Sequence, residues 1–456
     1  MPHLLKVAKF GGTSMADAGA MRRCADIVSA DPDKKVLVVS ATSGTTNSLV
    51  QLFQSRSLAE KKSITAALRQ KHQRIADELN APEELHAQLN ELFDELEALV
   101  SENVVITPAL KDQIYSFGER SSSMLFVQAL LEAGEKAVWF DARRIVKTDA
   151  LFGQAEPDLE AIEEHAQALL LPELEATQRI VTQGFLGSAP DGRTTTLGRG
   201  GSDYSAALIA EGAGADVLEI WTDVTAIYTT DPRIEKDARP INEISFEEAA
   251  ELSVFGAKVL HPATLKPAIR KGISVYVGSS MQPDTPGTWI VKNTSSHPVI
   301  RAISLRRKQT LLNVHSLDML HRYGFLARLF GVFDKHKISV DLVTTSEVRV
   351  SITLDTDMQS AEQNHLSDEV LDELRTFCDV DIEKNLALVA LVGNNLHATS
   401  GLSGPLFGAL KDVNIRLICH GASSHNICFL VDEKDAEKAV RILHRECITH
   451  PFEITQ

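Results

Sequence analysis

A lysine stands at the end of the first apolar run of this chain. Val7-Ala8-Lys9-Phe10 leads directly into Gly11-Gly12-Thr13-Ser14, and after Asp17 apolar residues recur at helical spacing as Met21, Ala25 and Ile27-Val28. Strand, glycine turn and helix together aim backbone N–H groups and a helix N-terminus at an anion, and Lys9 adds a full positive charge. A strand followed by Gly-Gly is common, so on its own a tight turn with a surface lysine explains the motif equally well. A second apolar run, Val36-Leu37-Val38-Val39, opens into the loop at 40–47, which carries hydroxyls (Ser40, Thr42, Ser43, Thr45, Thr46) and Gly44 but no charge. Alone it reads as an ordinary strand-to-helix loop. The segment Gly198-Arg199-Gly200-Gly201-Ser202-Asp203 is far more specific. Its glycines let backbone approach a ligand closely, and Arg199 offers a two-pronged fork for a carboxylate or phosphate. Asp203 can order a cation, a lysine or a metal-bound water.

These loops match none of the common nucleotide or hydrolase signatures. The chain has no G-x-x-x-x-G-K-[ST], no G-x-G-x-x-G opening an N-terminal βαβ unit, and no kinase H-R-D or D-F-G. G-x-S-x-G and H-E-x-x-H are missing too. Composition narrows the field further. The 456 residues are 44% hydrophobic and 24% charged, which is ordinary for a globular protein with ample core. A formal charge of −16 argues against a nucleic-acid partner but not against small anions, which a few local cations can bind. The five cysteines are scattered without a C-x-x-C pair, so reduced thiols in a cytoplasmic setting are expected, with neither a zinc site nor a disulfide framework. No cleavable apolar leader lies in residues 1–30, and no apolar stretch is long enough to span a membrane. The fifteen histidines read as structural or surface groups.

The elements that would carry these loops alternate strand with helix through about residue 280, the pattern of a mainly parallel sheet covered on both faces. Residues 58–100 read as two helices broken at Pro82, a scaffold hairpin or a lid; 108–134 is a helix containing Phe117-Gly118-Glu119-Arg120. Ile273-Ser274-Val275-Tyr276-Val277 is expected to be the last strand before a Pro/Gly-rich break at 282–298. Beyond 300 the chain repeats itself with an offset of 77: Leu312 falls on Val389, Gly324 on Gly401, Leu329-Phe330-Gly331 on Leu406-Phe407-Gly408, and Ser346 on Ser423. Each copy reads as a ferredoxin-like βαββαβ unit. The second runs out before its final strand, and an unassigned strand precedes the first at 299–305. The expected arrangement is therefore an α/β domain at 1–295, one unit at 308–385, and a second built from 299–307 plus 386–456, the first inserted into the second.

Taken together, K-F-G-G-T-S at 9–14, T-T-L-G-R-G-G-S-D at 195–203, W-T-D-V at 221–224, I-Y-T-T-D-P-R at 227–233 and F-G-A-K-V-L-H-P at 255–262 resemble the aspartate kinases of the amino acid kinase superfamily. The repeat resembles that family's paired ACT domains, and S-L-D-M-L, G-F-L and V-D-L-V-T-T-S-E at 316–347 resemble its lysine-sensitive monofunctional type. The resemblance implies an αβα sandwich followed by two ACT domains, without a fused homoserine dehydrogenase. It implies ATP and Mg2+ as cofactors and L-aspartate as acceptor, in the first step of lysine, threonine and methionine biosynthesis. Carried onto this sequence, Lys9 with Gly11 and Gly12 would meet the transferring phosphoryl group. Ser40, Thr46, Glu119 and Arg199 would bind aspartate, with Glu119 on its ammonium, and Asp203 would organise the lysine or the metal-bound phosphates. Thr222, Asp223, Tyr228, Arg233 and Lys258 would hold the nucleotide.

For a lysine effector, the resemblance assigns Met319, Gly324, Phe325, Leu326, Val340, Asp341, Thr345, Ser346 and Glu347. Asp341 and Glu347 would face its ammonium groups, and the helix start at Gly324 its carboxylate. Arg322-Tyr323 departs from the small-then-basic pair expected before Gly324. In the second copy Ser424 replaces Glu347 and Arg416 lies near the place of Asp341, so that copy is expected to bind no lysine. ACT pairing between chains implies a homodimer or homotetramer. Two alternatives stay open at this stage: another superfamily enzyme, such as a glutamate or uridylate kinase, and an ACT-based amino-acid sensor without catalysis. Threonine is the alternative effector.

Overall fold

The lysine-bearing run becomes the central strand of an eight-stranded sheet. The computed structural model describes residues 4–55, 57–100, 105–256, 262–320, 323–354 and 366–451, and these divide into two units. In the first, β1 (Lys6–Phe10) is followed by α1 (Ala18–Ser29), β2 (Lys34–Val39), α2 (Thr45–Gln54), α3 (Leu58–Glu78), α4 (Glu83–Leu99) and α5 (Pro108–Glu132). Next come β3 (Ala137–Phe140), α6 (Leu159–His165), α7 (Leu171–Thr177), β4 (Arg179–Gln183), β5 (Leu186–Ser188), β6 (Thr194–Thr196) and α8 (Gly201–Ala213). The unit continues with β7 (Val217–Thr222), β8 (Glu243–Ser245), α9 (Phe246–Val254), α10 (Pro262–Lys271), β9 (Ser274–Ser279) and β10 (Thr288–Val291).

The sheet order is β3-β4-β2-β1-β7-β9-β10-β8, parallel at every junction except β9–β10. Because helices cover both faces, the inner strands are buried almost end to end, which is why they read as apolar runs without alternation. One face of β1 and β2 packs Phe10, Leu37 and Val39 on Met21, Cys24 and Val28 of α1 and Leu125, Phe126 and Ala129 of α5. α3 and α4 form the helical hairpin, whose Leu68, Leu92, Phe93 and Leu96 close on Leu49, Leu52 and Phe117. The break expected at 282–298 is not free of structure: β10 lies inside it, holding Thr288–Ile290 antiparallel to β9 and Trp289–Val291 parallel to β8. With only four residues and prolines nearby, its pattern was too short to distinguish from a loop.

The second unit is built on β11 (Ile300–His315), α11 (Phe325–Lys335), β12 (Val340–Thr345), β13 (Arg349–Leu354), α12 (Asp368–Arg375), β14 (Asp379–Gly393), α13 (Ser403–Ala409), β15 (Ile415–His420), β16 (Asn426–Asp432) and α14 (Ala436–His444). These strands form one antiparallel sheet, ordered β12-β13-β11-β14-β16-β15. Two long strands run through its middle. Ile300 to Arg306 pairs with Gly393 to Leu388, and Leu311 to His315 pairs with Glu383 to Asp379. The register slips between the halves, beside the left-handed residues Lys308 and Asn385. Each strand thus lends one half to each copy of the repeat. The copies keep separate cores, one around Leu312, Leu329, Phe333 and Ile352, the other around Val389, Leu406, Phe429 and Leu443.

Two stretches from within 1–295, Tyr228–Arg239 and Val254–Ala257, belong to this second unit. Ile303 N–H donates to Thr229 O at 2.7 Å, and the Ser304 hydroxyl donates to Phe255 O at 2.8 Å.

Candidate active site at the strand ends

In a parallel sheet the carboxyl ends of neighbouring strands lie on one edge, and ligands bind there. β1, β2 and β7 end together. Gly11 N–H donates to Trp221 O at 3.1 Å, Ser40 N–H donates to Phe10 O at 3.1 Å, and Gly184 N–H donates to Val39 O at 2.9 Å. Lys9 is the penultimate residue of β1. Its side chain is 10% exposed, and its Nζ stands 2.5 Å from Asp203 Oδ1. Asp203 sits in the first turn of α8, so two residues far apart in sequence meet across the site.

That meeting depends on two glycines. Gly200 caps α8 with φ 69°, a conformation that side chains with a Cβ adopt only at a cost. At Gly184 a Cβ would lie 2.7 Å from the Cβ of Ser202, so only glycine lets the end of β4 run against the first turn of α8. The next residue, Phe185, donates its N–H to Ser205 Oγ at 2.7 Å and locks the approach. Arg199, just before the cap, is exposed.

Glu119 lies on α5 and is 5% exposed. Burial pushes its carboxyl up to about 8, against the opposing pull of the Ala41 N–H and the Lys9 charge. At neutral pH it is therefore mostly protonated until a cation arrives beside it. Ser40 is half-buried, while Thr46 is exposed in the first turn of α2. Thr222 ends β7 and donates its hydroxyl to Asp223 at 3.1 Å; Asp223 is exposed. Tyr228 and Arg233 lie in the stretch assigned to the second unit, where Arg233 folds onto Asp231 at 2.6 Å. Lys258 falls outside the described residues.

Three contributors escaped the sequence reading. Ser280 joins Ser14 Oγ at 2.6 Å and, through its N–H, Thr222 O at 2.9 Å, tying the first loop to the end of β7. Asp112, fully buried, accepts from Gly153 N–H at 2.8 Å and from the N–H and hydroxyl of Thr196 at 2.9 Å each, anchoring the run that precedes Arg199. Burial raises its pKa even so. A signal existed: Asp112, Ser116, Glu119 and Ser123 are all buried and fall on one face of α5. A polar stripe on a buried helix marks a network. The third is His72, taken up below. Among the described residues no cluster of three metal-ligating side chains occurs.

In the second unit, Gly324 has φ 90° and caps α11. Phe325 and Met319 pack against the core of the first copy, Leu326 is exposed and Val340 begins β12 half-buried. Thr345, Ser346 and Glu347 are exposed at the turn after β12, where Ser346 N–H donates to Arg349 O at 2.8 Å. Asp341 is ion-paired with Arg306, so an incoming ammonium group would share or displace that partner. Arg322 lies outside the described residues.

Residues 5–279 match the amino acid kinase family, and 389–447 match the ACT domain. The lysine-sensitive aspartokinase 3 of Escherichia coli (strain K12) is 49% identical over 440 residues, 96% of this chain and 98% of that protein. The chloroplastic aspartokinase 3 of Arabidopsis thaliana is 36% identical over 96% of this chain and 80% of its own length. Among solved structures, E. coli aspartokinase III in complex with aspartate and ADP (R-state) superposes with a TM-score of 0.87 at 49% identity, covering 96% of this chain and 99% of that one. The same enzyme with lysine and aspartate (T-state) gives 0.85 at 48%, covering 98% and 100%. Clostridium acetobutylicum aspartate kinase gives 0.80 at 25%, covering 97% and 99%.

Proposed function

The chain belongs to the amino acid kinase family, and from that premise we propose that it is an aspartokinase, moving the γ-phosphoryl group of ATP to the β-carboxylate of L-aspartate to give 4-phospho-L-aspartate. The observation that carries the reading is the Lys9–Asp203 pair at 2.5 Å where β1 and the start of α8 converge. A carboxylate acceptor is already ionised at pH 7, so the reaction needs no general base. Catalysis reduces to in-line positioning and to charge stabilisation in a loose transition state. The side chains at the strand ends suit that task, being a buried cation, hydroxyls and N–H groups.

In this reading Lys9, with the N–H groups of Gly11 and Gly12, stabilises charge on the transferring oxygens, and Asp203 holds the Lys9 ammonium in place. Glu119 takes the aspartate ammonium, Arg199 clamps a carboxylate, and Ser40 and Thr46 complete the acceptor site. Thr222, Asp223, Tyr228, Arg233 and Lys258 hold the nucleotide. Magnesium fits as an ion that arrives with the phosphates, keeps most of its waters and needs one or two carboxylates from the protein, of which Asp203 is the candidate. When bound it neutralises phosphate charge.

We assign feedback control to lysine through the first repeat at Met319, Gly324, Phe325, Leu326, Val340, Asp341, Thr345, Ser346 and Glu347. Support comes from the lysine-sensitive E. coli relative. ACT sheets pairing between chains would make a cytoplasmic homodimer or homotetramer. No helix among the described residues is long and apolar enough to cross a membrane. The test is ATP-dependent acyl-phosphate formation, trapped with hydroxylamine, with aspartate or glutamate as acceptor and with lysine or threonine added. Turnover with aspartate that lysine suppresses is expected. Turnover with glutamate alone would reject the acceptor, and inhibition by threonine alone would reject the effector.

A further inference from the structure

His72 is buried with no exposed surface, lies on α3, and has no part in the chemistry assigned above. Its ring joins a chain of polar contacts that ends in the loop at 40–47. Nδ1 is 2.7 Å from Leu68 O, Nε2 is 3.2 Å from Thr42 Oγ1, and Thr42 Oγ1 is 2.6 Å from Thr45 Oγ1. Lys71 Nζ lies 3.2 Å from Thr45 Oγ1 and 2.6 Å from Ser43 O.

The proton positions in this chain follow from the partners. A carbonyl only accepts, so Nδ1 carries the hydrogen. Burial lowers the imidazole to about 4, so the ring is neutral and Nε2 must accept from the Thr42 hydroxyl. Thr42 has then used its hydrogen and receives the one from Thr45, whose oxygen is left to accept from the Lys71 ammonium. Every link runs one way, from Lys71 through Thr45 and Thr42 to His72 and the Leu68 carbonyl. From the other side, Glu119 accepts the Ala41 N–H, and a Cβ on Gly118 would lie 2.8 Å from Ala41 Cβ. The loop is thus gripped between α3 and α5, while at Gly44 on its tip, with φ 79°, an added Cβ would meet nothing within 4 Å.

We propose that Thr42 and His72, with Thr45 and Lys71, are positioning residues that hold the 40–47 loop in its aspartate-binding form, so that Ser40 and Thr46 are fixed before substrate arrives. The inference rests on the reading of this loop as part of the acceptor site. A directional chain suits the task, because each donor has one acceptor and the hydroxyl orientations of the loop are thereby fixed, with a neutral imidazole at its buried end.

The test compares Thr42→Val, which keeps the shape and removes the central hydroxyl, with Thr42→Ser, which keeps the hydroxyl, and with His72→Leu. In the full chain, Thr42→Val and His72→Leu should raise KM for aspartate about tenfold, the scale of one lost buried hydrogen bond. KM for ATP should stay within about twofold, and Thr42→Ser should stay close to wild type on both. Equal rises in both KM values, or no rise in either, would overturn the proposal. Amide hydrogen exchange supplies a readout independent of substrate. Amides of the loop should exchange faster in Thr42→Val than in Thr42→Ser, with the rest of the first unit unchanged. Equal loop exchange in the two variants would overturn the positioning role even if aspartate proved not to be the acceptor. Faster loop exchange without any aspartate turnover by wild type would instead overturn the assigned function while leaving the relay standing.

Discussion

The two places proposed to hold an amino acid are built in opposite ways. At the strand ends of the first unit a buried set of groups is already engaged, Lys9 with Asp203, Glu119 with the Ala41 N–H and Thr42 with His72, while Thr46 and Arg199 are exposed. On the first repeat of the second unit, Asp341 is paired with Arg306, but Thr345, Ser346 and Glu347 are exposed, and β12 passes from half-buried to exposed toward its end. A catalytic site gains from fixed groups, since reorganisation during the reaction would raise the barrier. An effector site gains from groups whose order depends on the ligand, because only a difference between bound and free states can shift an equilibrium. The second repeat makes a third case. It has the same fold and a left-handed Gly401 where the first has Gly324, yet it is tied to the 228–239 stretch. Thr229 Oγ1 meets His444 Nε2 at 2.9 Å, and Arg441 Nε donates to Ile234 O at 2.9 Å. A repeat held on that side is suited to structure.

The sharpest way to break this contrast is at Lys9. Lys9→Ala should lower kcat about a thousandfold or more while the circular dichroism spectrum stays native, as removal of a charge-stabilising donor does elsewhere. Near-normal turnover would mean that the buried site is not the catalytic one.

Glu119→Gln is next, with two opposite effects. KM for aspartate should rise about ten- to a hundredfold through loss of a charged hydrogen bond. Stability should change in the other direction. The folded-state pKa is raised from 4.5 to about 8, so between those values the folded protein holds a proton that the unfolded chain has released. The group therefore contributes its full stability below pH 4.5 and loses it as pH rises through 8. Melting curves should show the variant gaining on wild type from pH 5 to pH 8, with no gap near pH 4.5; a constant gap would mean that Glu119 is ionised in the free enzyme.

On the exposed site, Glu347→Ala should raise the lysine concentration for half-inhibition about tenfold with uninhibited kcat unchanged, whereas Ser424→Ala in the second repeat should leave it unmoved. Equal responses would erase the distinction between the repeats. The smallest effect is expected from Thr229→Val, which removes one buried hydroxyl and should cost about 1 kcal/mol, seen as a drop of a few degrees in Tm at unchanged lysine sensitivity.

Much of the fold is legible in the sequence, because parallel strands buried on both faces print as unbroken apolar runs and the repeat prints as matched positions at a constant offset. The short β10 is not legible, since four residues carry no period. Within the candidate site, the glycine- and hydroxyl-rich loops announce themselves because backbone close to an anion excludes most side chains. His72, Asp112 and Ser280 do not announce themselves. Their residue types suit many surface positions, and their roles come from partners up to 266 residues away.

By itself, then, the sequence determined the alternation of strands and helices, the three chemically loaded loops and the duplicated second half, all of which depend on local pattern. Only the tertiary structure decided which groups meet. It brought Asp203 to Lys9, bent β11 and β14 so that each serves both repeats, and set Cys419 opposite Cys428 across β15 and β16. The physical reason is that such pairings are fixed by sheet register and helix packing, which sum over the whole core. The opening lysine follows the same division: its type and turn are local, but the carboxylate at 2.5 Å that gives it a task comes from α8, a helix distant in sequence that packs against the same strand.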